Sequence, residues 1–280
     1  MRNPQSPRFQ SQVFRIWIRP LVSGRVAVLC FSLTSLFFSI SFASSVSSAK
    51  SVIRDEPPWQ AGLHSIRALL VPGLVLQAAA LGLVLAYYFL PATSGFFAQL
   101  AQWQSAGGFA FSAASTALCG GLLPFLFLRW DGATRAGHPW AHLPFFVLFW
   151  AWKGAEVDLW YRILAAWHGD GHDVGTIIRK VVSDQFGFNP LYASPIGSMC
   201  FAWKDAGFRW APVAADVRAG RWYARRIVPV LFAVWFLWIP VVCCVYALPL
   251  PLQMPLFNVV LCFWAMLFAH ITARQNQAPA

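Results

Sequence analysis

Three ionisable residues, Lys153, Glu156 and Asp158, fall close together in an otherwise apolar stretch of the chain. On insertion scales each such group costs about 2.5–3.5 kcal/mol at the centre of a membrane helix, so each must find a partner or water. Lys153 and Glu156 are three apart, which places them on one helix face where they can pair. Two readings follow: a polar lining of a pore or cavity, or a buried packing pair. A second constellation comes shortly after, in the run His168-Gly169-Asp170-Gly171-His172-Asp173. Imidazole with carboxylate is metal-ligand chemistry, but the spacing fits no helix-borne H-E-x-x-H site, and a solvated loop is the simpler reading. A metal-dependent membrane enzyme would rest on His168 and His172. The run Arg221-Trp222-Tyr223-Ala224-Arg225-Arg226 mixes cations with aromatics just ahead of an apolar stretch. It reads as an interfacial anchor, or more sharply as a contact for anionic lipid, through Arg221, Trp222, Arg225 and Arg226. The chain has no G-x-S-x-G and no phosphate-binding glycine loop. No catalytic residue, metal site or cofactor is assigned.

The elements that position these groups are apolar helices. Of the 280 residues 58% are hydrophobic and 11% charged, against roughly 25% charged in a soluble domain. The 25 Phe and 15 Trp fit bundle interiors and lipid–water interfaces. A hydrocarbon core needs about 20 apolar residues of helix. Runs at 66–90, 107–128, 140–167 and 227–248 meet that, and 254–271 is just long enough. The segment 191–203 is short and contains Pro195, Gly197 and Ser198, so it is either a fourth span or a re-entrant hairpin. The expectation is an all-α polytopic transmembrane bundle of about six spans over 66–273. A polar juxtamembrane segment, 50–65, precedes it and a tail, 274–280, follows. Pro72, Pro124, Pro144, Pro195 and Pro240 interrupt the bundle and free backbone carbonyls for neighbours. No inverted repeat of the transporter kind is visible. Six cysteines, Cys30, Cys119, Cys200, Cys243, Cys244 and Cys262, sit in apolar surroundings without a C-x-x-C and read as reduced packing residues.

The formal charge of +11 falls in short bursts between apolar runs rather than along one face, which argues against nucleic acid and for positive-inside loops in a lipid bilayer. Lys50, Arg54 and Arg67 precede the first span, 91–106 has no cation, and Arg129 and Arg135 follow. Lys204, Arg209, Arg218, Arg221, Arg225 and Arg226 lie between the fourth and fifth spans, 249–255 has none, and Arg274 ends the series. Both ends of a six-span bundle then face the cytoplasm-like side. Arg162, Arg179 and Lys180 break the pattern, next to Asp170, Asp173 and Asp184. Residues 1–49, with five Arg, many Ser and no acid, resemble a secretory signal or an organelle transit peptide. Retaining 26–43 as a span would invert every later loop, so the segment reads as dispensable.

The stretch Lys180-Val181-Val182-Ser183-Asp184-Gln185-Phe186-Gly187-Phe188-Asn189-Pro190 resembles the K-x-x-x-D-Q-x-x-F-x-P signature of the Mpv-seventeen family, which includes the twenty-two-kilodalton peroxisomal membrane protein. Upstream, Gly154-Ala155-Glu156-Val157-Asp158-Leu159-Trp160-Tyr161-Arg162-Ile163-Leu164 is similar to that family's G-P-x-x-H-x-W-Y-x-x-L stretch. Downstream, Pro249, Gln253 and Trp264 keep the family's spacings. The chain departs from the pattern at Ala155 for Pro, Asp158 for His and Gln253 for Arg. It also carries Cys244-Val245 for Asn-Phe, and Trp238 and Pro240 stand nearest the family's Trp-Pro. The resemblance covers about 150–270, and the family ordinarily has four spans. It implies an integral protein of a mitochondrial, peroxisomal or bacterial inner membrane, some relatives of which form weakly selective channels for small solutes. No cofactor or catalytic residue comes with it.

The function expected is therefore a channel or permeation protein whose polar elements are Lys153, Glu156, Asp158, Asp184 and Gln185. The solute is unspecified, and assembly as a homo-oligomer is left open. The rival is a non-transporting scaffold. Asp184, just ahead of 191–203, is read either as a cap on that helix start or as part of a gate.

Overall fold

Proline and glycine set the breaks in a chain that is otherwise largely helical. The computed structural model describes residues 58–277 except 131, 133 and 134, with side chains for 70–266 apart from those three. The expectations for 1–49 and 50–57 lie outside that range, as does Cys30. Among the described residues there is no strand.

Helix α1, Pro58–Phe89, contains Pro72 and stops ahead of Pro91, whose ring disfavours helical geometry in the residue before it. After a tight turn at Pro91–Thr93, α2 runs Ser94–Thr116. The loop expected at 91–106 is thus mostly helix. Phe97 and Gln104 are buried and Leu100 and Ala101 pack on the core, a helical stripe that apolarity alone conceals. Gly108 then kinks α2 with φ 50 and ψ −132, a conformation open to glycine. The second half of α2 passes through a π-helical turn, Ala117–Leu122, into α3, Leu123–Trp130. Pro124 has no N–H to return to the Gly120 carbonyl, which suits the widened turn.

Helix α4 is Leu143–His168. Helix α5, Val174–Val182, continues through a second π-helical segment, Ser183–Ala193, into α6, Ser194–Asp205, as one rod. The segment expected at 191–203 lies within a continuous helical stretch that begins at Val174. The π segment takes up Pro190, and Pro195 stands where that segment hands over to α6. Short helices α7, Trp210–Arg218, and α8, Trp222–Arg226, lead to α9, Val228–Tyr246, and α10, Leu250–Gln277.

Helix α1 packs chiefly on α9, α2 on α4, and α10 lies against α1, α2 and α9. Ala80, Leu164, Leu237, Val241 and Tyr246 sit fully buried in this core. Among the described residues three helices are long and apolar enough to cross a membrane: Leu70–Phe89, the kinked Pro91–Trp130 and Val228–Tyr246. Leu250–Met266 is apolar but shorter.

Candidate functional site

Helix α4 carries ionisable groups on two faces. Toward the α5–α6 rod, Lys153 is buried and ion-paired with Glu156. The Lys153 ammonium also stands over the rings of Trp152, Tyr192 and Phe188, at 5.4, 5.8 and 6.0 Å, each a favourable position for a cation. Trp160 stacks on Phe188 at 4.5 Å between centroids, and Phe188 on Tyr192 at 5.3 Å.

Asp184 is not a helix cap. It lies inside the continuous rod, where its carboxylate accepts from Tyr246 Oη at 2.8 Å, Gln185 Nε2 at 3.0 Å and Trp160 Nε1 at 3.1 Å. The cap is Asp173, whose Oδ1 accepts from the Thr176 amide at 3.0 Å. Hydrogen bonds from the Thr176 hydroxyl and amide hold the Asp173 carboxyl below its ordinary range. The π segment extends a polar line past Asp184. Asn189 Nδ2 donates to Gln185 Oε1 at 3.3 Å, and Ser194 Oγ donates to Asn189 Oδ1 at 2.6 Å. The Gln185 carbonyl takes a bond from Trp235 Nε1 at 2.8 Å.

The opposite face of α4 meets α2. A Cβ on Gly154 would stand 2.4 Å from the Ser112 carbonyl oxygen and 2.6 Å from Thr116, so only glycine permits this crossing. Buried Asp158 accepts from Ser112 Oγ at 2.8 Å and from Arg162 Nε at 3.0 Å, with Gln104 Nε2 at 3.4 Å. Arg162 in turn lies 4.8 Å from the Phe109 ring. Below this, Thr116 Oγ1 donates to Asn258 Oδ1 and Asn258 Nδ2 donates to Ser115 Oγ, both at 2.8 Å. Gln104 Oε1 is buried without a hydrogen-bond partner. Such a group costs about 1–3 kcal/mol.

The expected polar residues therefore divide. Lys153 and Glu156 stand against Phe188 and Tyr192 of the rod, Asp184 and Gln185 gather with Trp160 and Tyr246, and Asp158 faces α2. Buried Tyr161 links the two sides, its ring edge-on to Tyr246 at 5.5 Å. Gln104, Ser112, Thr116, Asn258 and Tyr246 are additions that the sequence reading did not single out. Their signal was present, since Gln104 and Asn258 are amides within helical apolar surroundings. Of the remaining motif residues, Lys180 is buried in α5 and Pro190 accepts from Tyr223 Oη at 2.9 Å. Pro249 opens α10 through its carbonyl to Leu252, and Trp264 packs against the core.

His168 and His172 turn to different partners. His168 Nε2 pairs with Ser183 Oγ at 2.8 Å, and His172 Nδ1 faces the Tyr246 carbonyl at 3.4 Å. Among the described residues no group of three or more His, Cys, Asp or Glu is placed to hold a metal ion. Arg225 and Arg226 both bridge to Asp216, at 2.6 and 3.2 Å, while Arg221 is exposed in left-handed geometry at φ 54. The Arg225 bond above all, with Arg226 behind it, holds the Asp216 carboxyl below its ordinary value.

Fold and site together define, among the described residues, an all-helical protein with three helices long and apolar enough to cross a membrane and with interacting charges buried between its helices. No family model, curated protein or solved structure matches the chain.

Proposed function

We propose that the chain is an integral membrane bundle of six crossings, of the Mpv-seventeen type, and that it gives small polar solutes a path along the polar contacts of α4. One observation carries the reading: α4 and the α5–α6 rod bury charged and amide side chains while turning large apolar ones outward. On α4 and the rod, Lys153, Asp158, Lys180, Asp184, Gln185 and Asn189 are buried, while Leu148, Leu159, Ile178, Val182, Phe186 and Leu191 are exposed. In water this arrangement is unfavourable twice over, by exposing large apolar groups and by burying charges. In lipid it is the expected one, because intramembrane ionisable groups face the bundle interior. Helix α4 has 26 residues, about 39 Å at 1.5 Å per residue, ample for a core of about 30 Å. With α4 and the α5–α6 rod added to the three long apolar helices and to α10, the crossings number six, and the lipid bilayer is the partner. A bacterial inner membrane, or a mitochondrial or peroxisomal one, is the setting the resemblance implies.

The scaffold reading is favoured by a separate fact, that Asp158, Ser112, Thr116 and Asn258 largely satisfy one another. Vesicles reconstituted with the purified protein separate the two. Efflux of small polar solutes at least several-fold above empty vesicles, altered in rate or ion preference by Lys153→Met with Glu156→Gln, is the expected outcome. Vesicles as tight as protein-free controls, with correctly folded protein inserted, would leave the scaffold.

A further inference from the structure

Cys119 and Cys262 lie far apart in sequence and were expected only to fill space. Their side chains are hydrogen-bonded to each other between the α2–α3 rod and α10. Neighbouring side chains also bring the two helices together at this level. A Cβ on Gly120 would stand 2.8 Å from Leu261 Cδ2, and Thr116 is bonded to Asn258 one turn away. Both thiols are free and partly exposed. Their neighbours Leu118 and Phe263 are 45% and 54% exposed, so the pair sits at the outer, apolar edge of the bundle. Cys119 falls midway between the Gly108 kink and Trp130, at the depth of the acyl chains if this helix crosses as proposed above. Cys200, Cys243 and Cys244 belong to other helices, α6 and α9.

We propose that Cys119 and Cys262 are an oxidisable dithiol which hydroperoxides of the surrounding acyl chains convert to an intramolecular disulfide, tying the α2–α3 rod to α10. One thiol sulfur attacks the terminal peroxide oxygen; the O–O bond breaks, the acyl chain leaves as an alcohol, and the cysteine becomes a sulfenic acid. The second sulfur attacks the sulfenyl sulfur, the S–S bond forms, and water departs with the remaining thiol proton. Two thiols lose two electrons and the peroxide gains them, so one hydroperoxide yields one disulfide, one alcohol and one water. Because the two thiols are already hydrogen-bonded to each other, the second step brings together sulfurs that are neighbours before oxidation. The site takes its oxidant from the membrane reading but not from any solute flux, so tight vesicles leave it standing.

The test uses the full chain in lipid vesicles doped with a linoleoyl phospholipid hydroperoxide, followed by alkylation under denaturing conditions and peptide mapping. Alkylatable thiols are expected to fall from the six of the sequence to four, with a single cross-linked peptide pair joining Cys119 and Cys262, restored by dithiothreitol. Cys200→Ser leaves the cross-link in place; Cys119→Ser and Cys262→Ser each abolish it. Mapping of the unaltered protein decides the matter even if those variants fold poorly. Six thiols surviving in folded protein, sulfinic or sulfonic acid without a cross-link, or a disulfide only between two chains overturns the proposal. So does closure by water-soluble hydrogen peroxide in detergent while the acyl hydroperoxide remains inert.

Discussion

A lone ammonium or carboxylate at the position of Lys153 or Glu156 would be stranded in an apolar helix, and the pair exists because each removes the other's penalty. Breaking one partner of a buried pair typically costs about 3–5 kcal/mol, whereas removing both can be neutral. Lys153→Met and Glu156→Gln singly should therefore lower thermal stability in detergent sharply, and the double change should recover most of the loss. A double-mutant cycle reads the coupling directly, and strict additivity would show that the residues never meet. The aromatic rings of Trp152, Phe188 and Tyr192 add a second support for the ammonium. Lys153→Arg should accordingly keep more stability than Lys153→Met. Gly154 makes a different kind of statement. A methyl there meets the Ser112 carbonyl, which is backbone and cannot swing away. Gly154→Ala should cost about 1–3 kcal/mol through overpacking, measurable as a lowered melting temperature. Gly187→Ala, in open space, serves as the comparison and should be near neutral.

At the scale of elements, the α5–α6 rod depends on its first turn, because Asp173 satisfies an amide that would otherwise be orphaned. Asp173→Ala should cost about 1 kcal/mol at neutral pH. Since the folded carboxyl titrates below its ordinary value, the ionised cap contributes fully above the unfolded value of about 3.9. That contribution fades as pH falls through the folded value. Asp173→Asn keeps the cap without the titration, so its stability from pH 5 to 3 should decline less than that of the unaltered chain. An equal decline would remove Asp173 as the group responsible. The same rod shows how far sequence reasoning reached. Long apolar runs such as α1 and α9 are legible because lipid-compatible helices need little else. Pro195, Gly197 and Ser198 make 191–203 read as a short, interrupted segment, and a π-helical turn that absorbs a proline leaves no mark in hydropathy. The helix at 94–107 was hidden for the opposite reason, since its buried stripe includes Gln104. Lys153 with Glu156 was legible because both lie on one helix. Asp158 with Ser112, and Asp184 with Tyr246, join residues from separate helices, which spacing along the chain cannot reveal.

For the whole molecule, charge and topology act together. Helices α9 and α10 are joined by only Ala247–Pro249 and pack against each other, so the start of one and the end of the other return to the same side. Arg221, Arg225 and Arg226 mark the start of α9 and Arg274 the end of α10, an arrangement the positive-inside rule places on the cytoplasm-like face. Asp216 gathers Arg225 and Arg226 from the adjoining helix. The two arginines are about half exposed, and each such surface bridge is worth at most about 1 kcal/mol. The prediction is one of sidedness. In a chain with its native cysteines replaced, Arg226→Cys and Arg274→Cys should both react with a membrane-impermeant maleimide from one face of sealed vesicles, and Pro249→Cys from the other. The outcome discriminates because each alternative leaves its own pattern. If α10 lay along the surface, Pro249→Cys and Arg274→Cys would react from one side while Arg226→Cys reacted from the other. If neither helix crossed, all three would share a face. Reaction of positions 226 and 274 from opposite faces would remove the even number of crossings between them, and with it the six-crossing bundle.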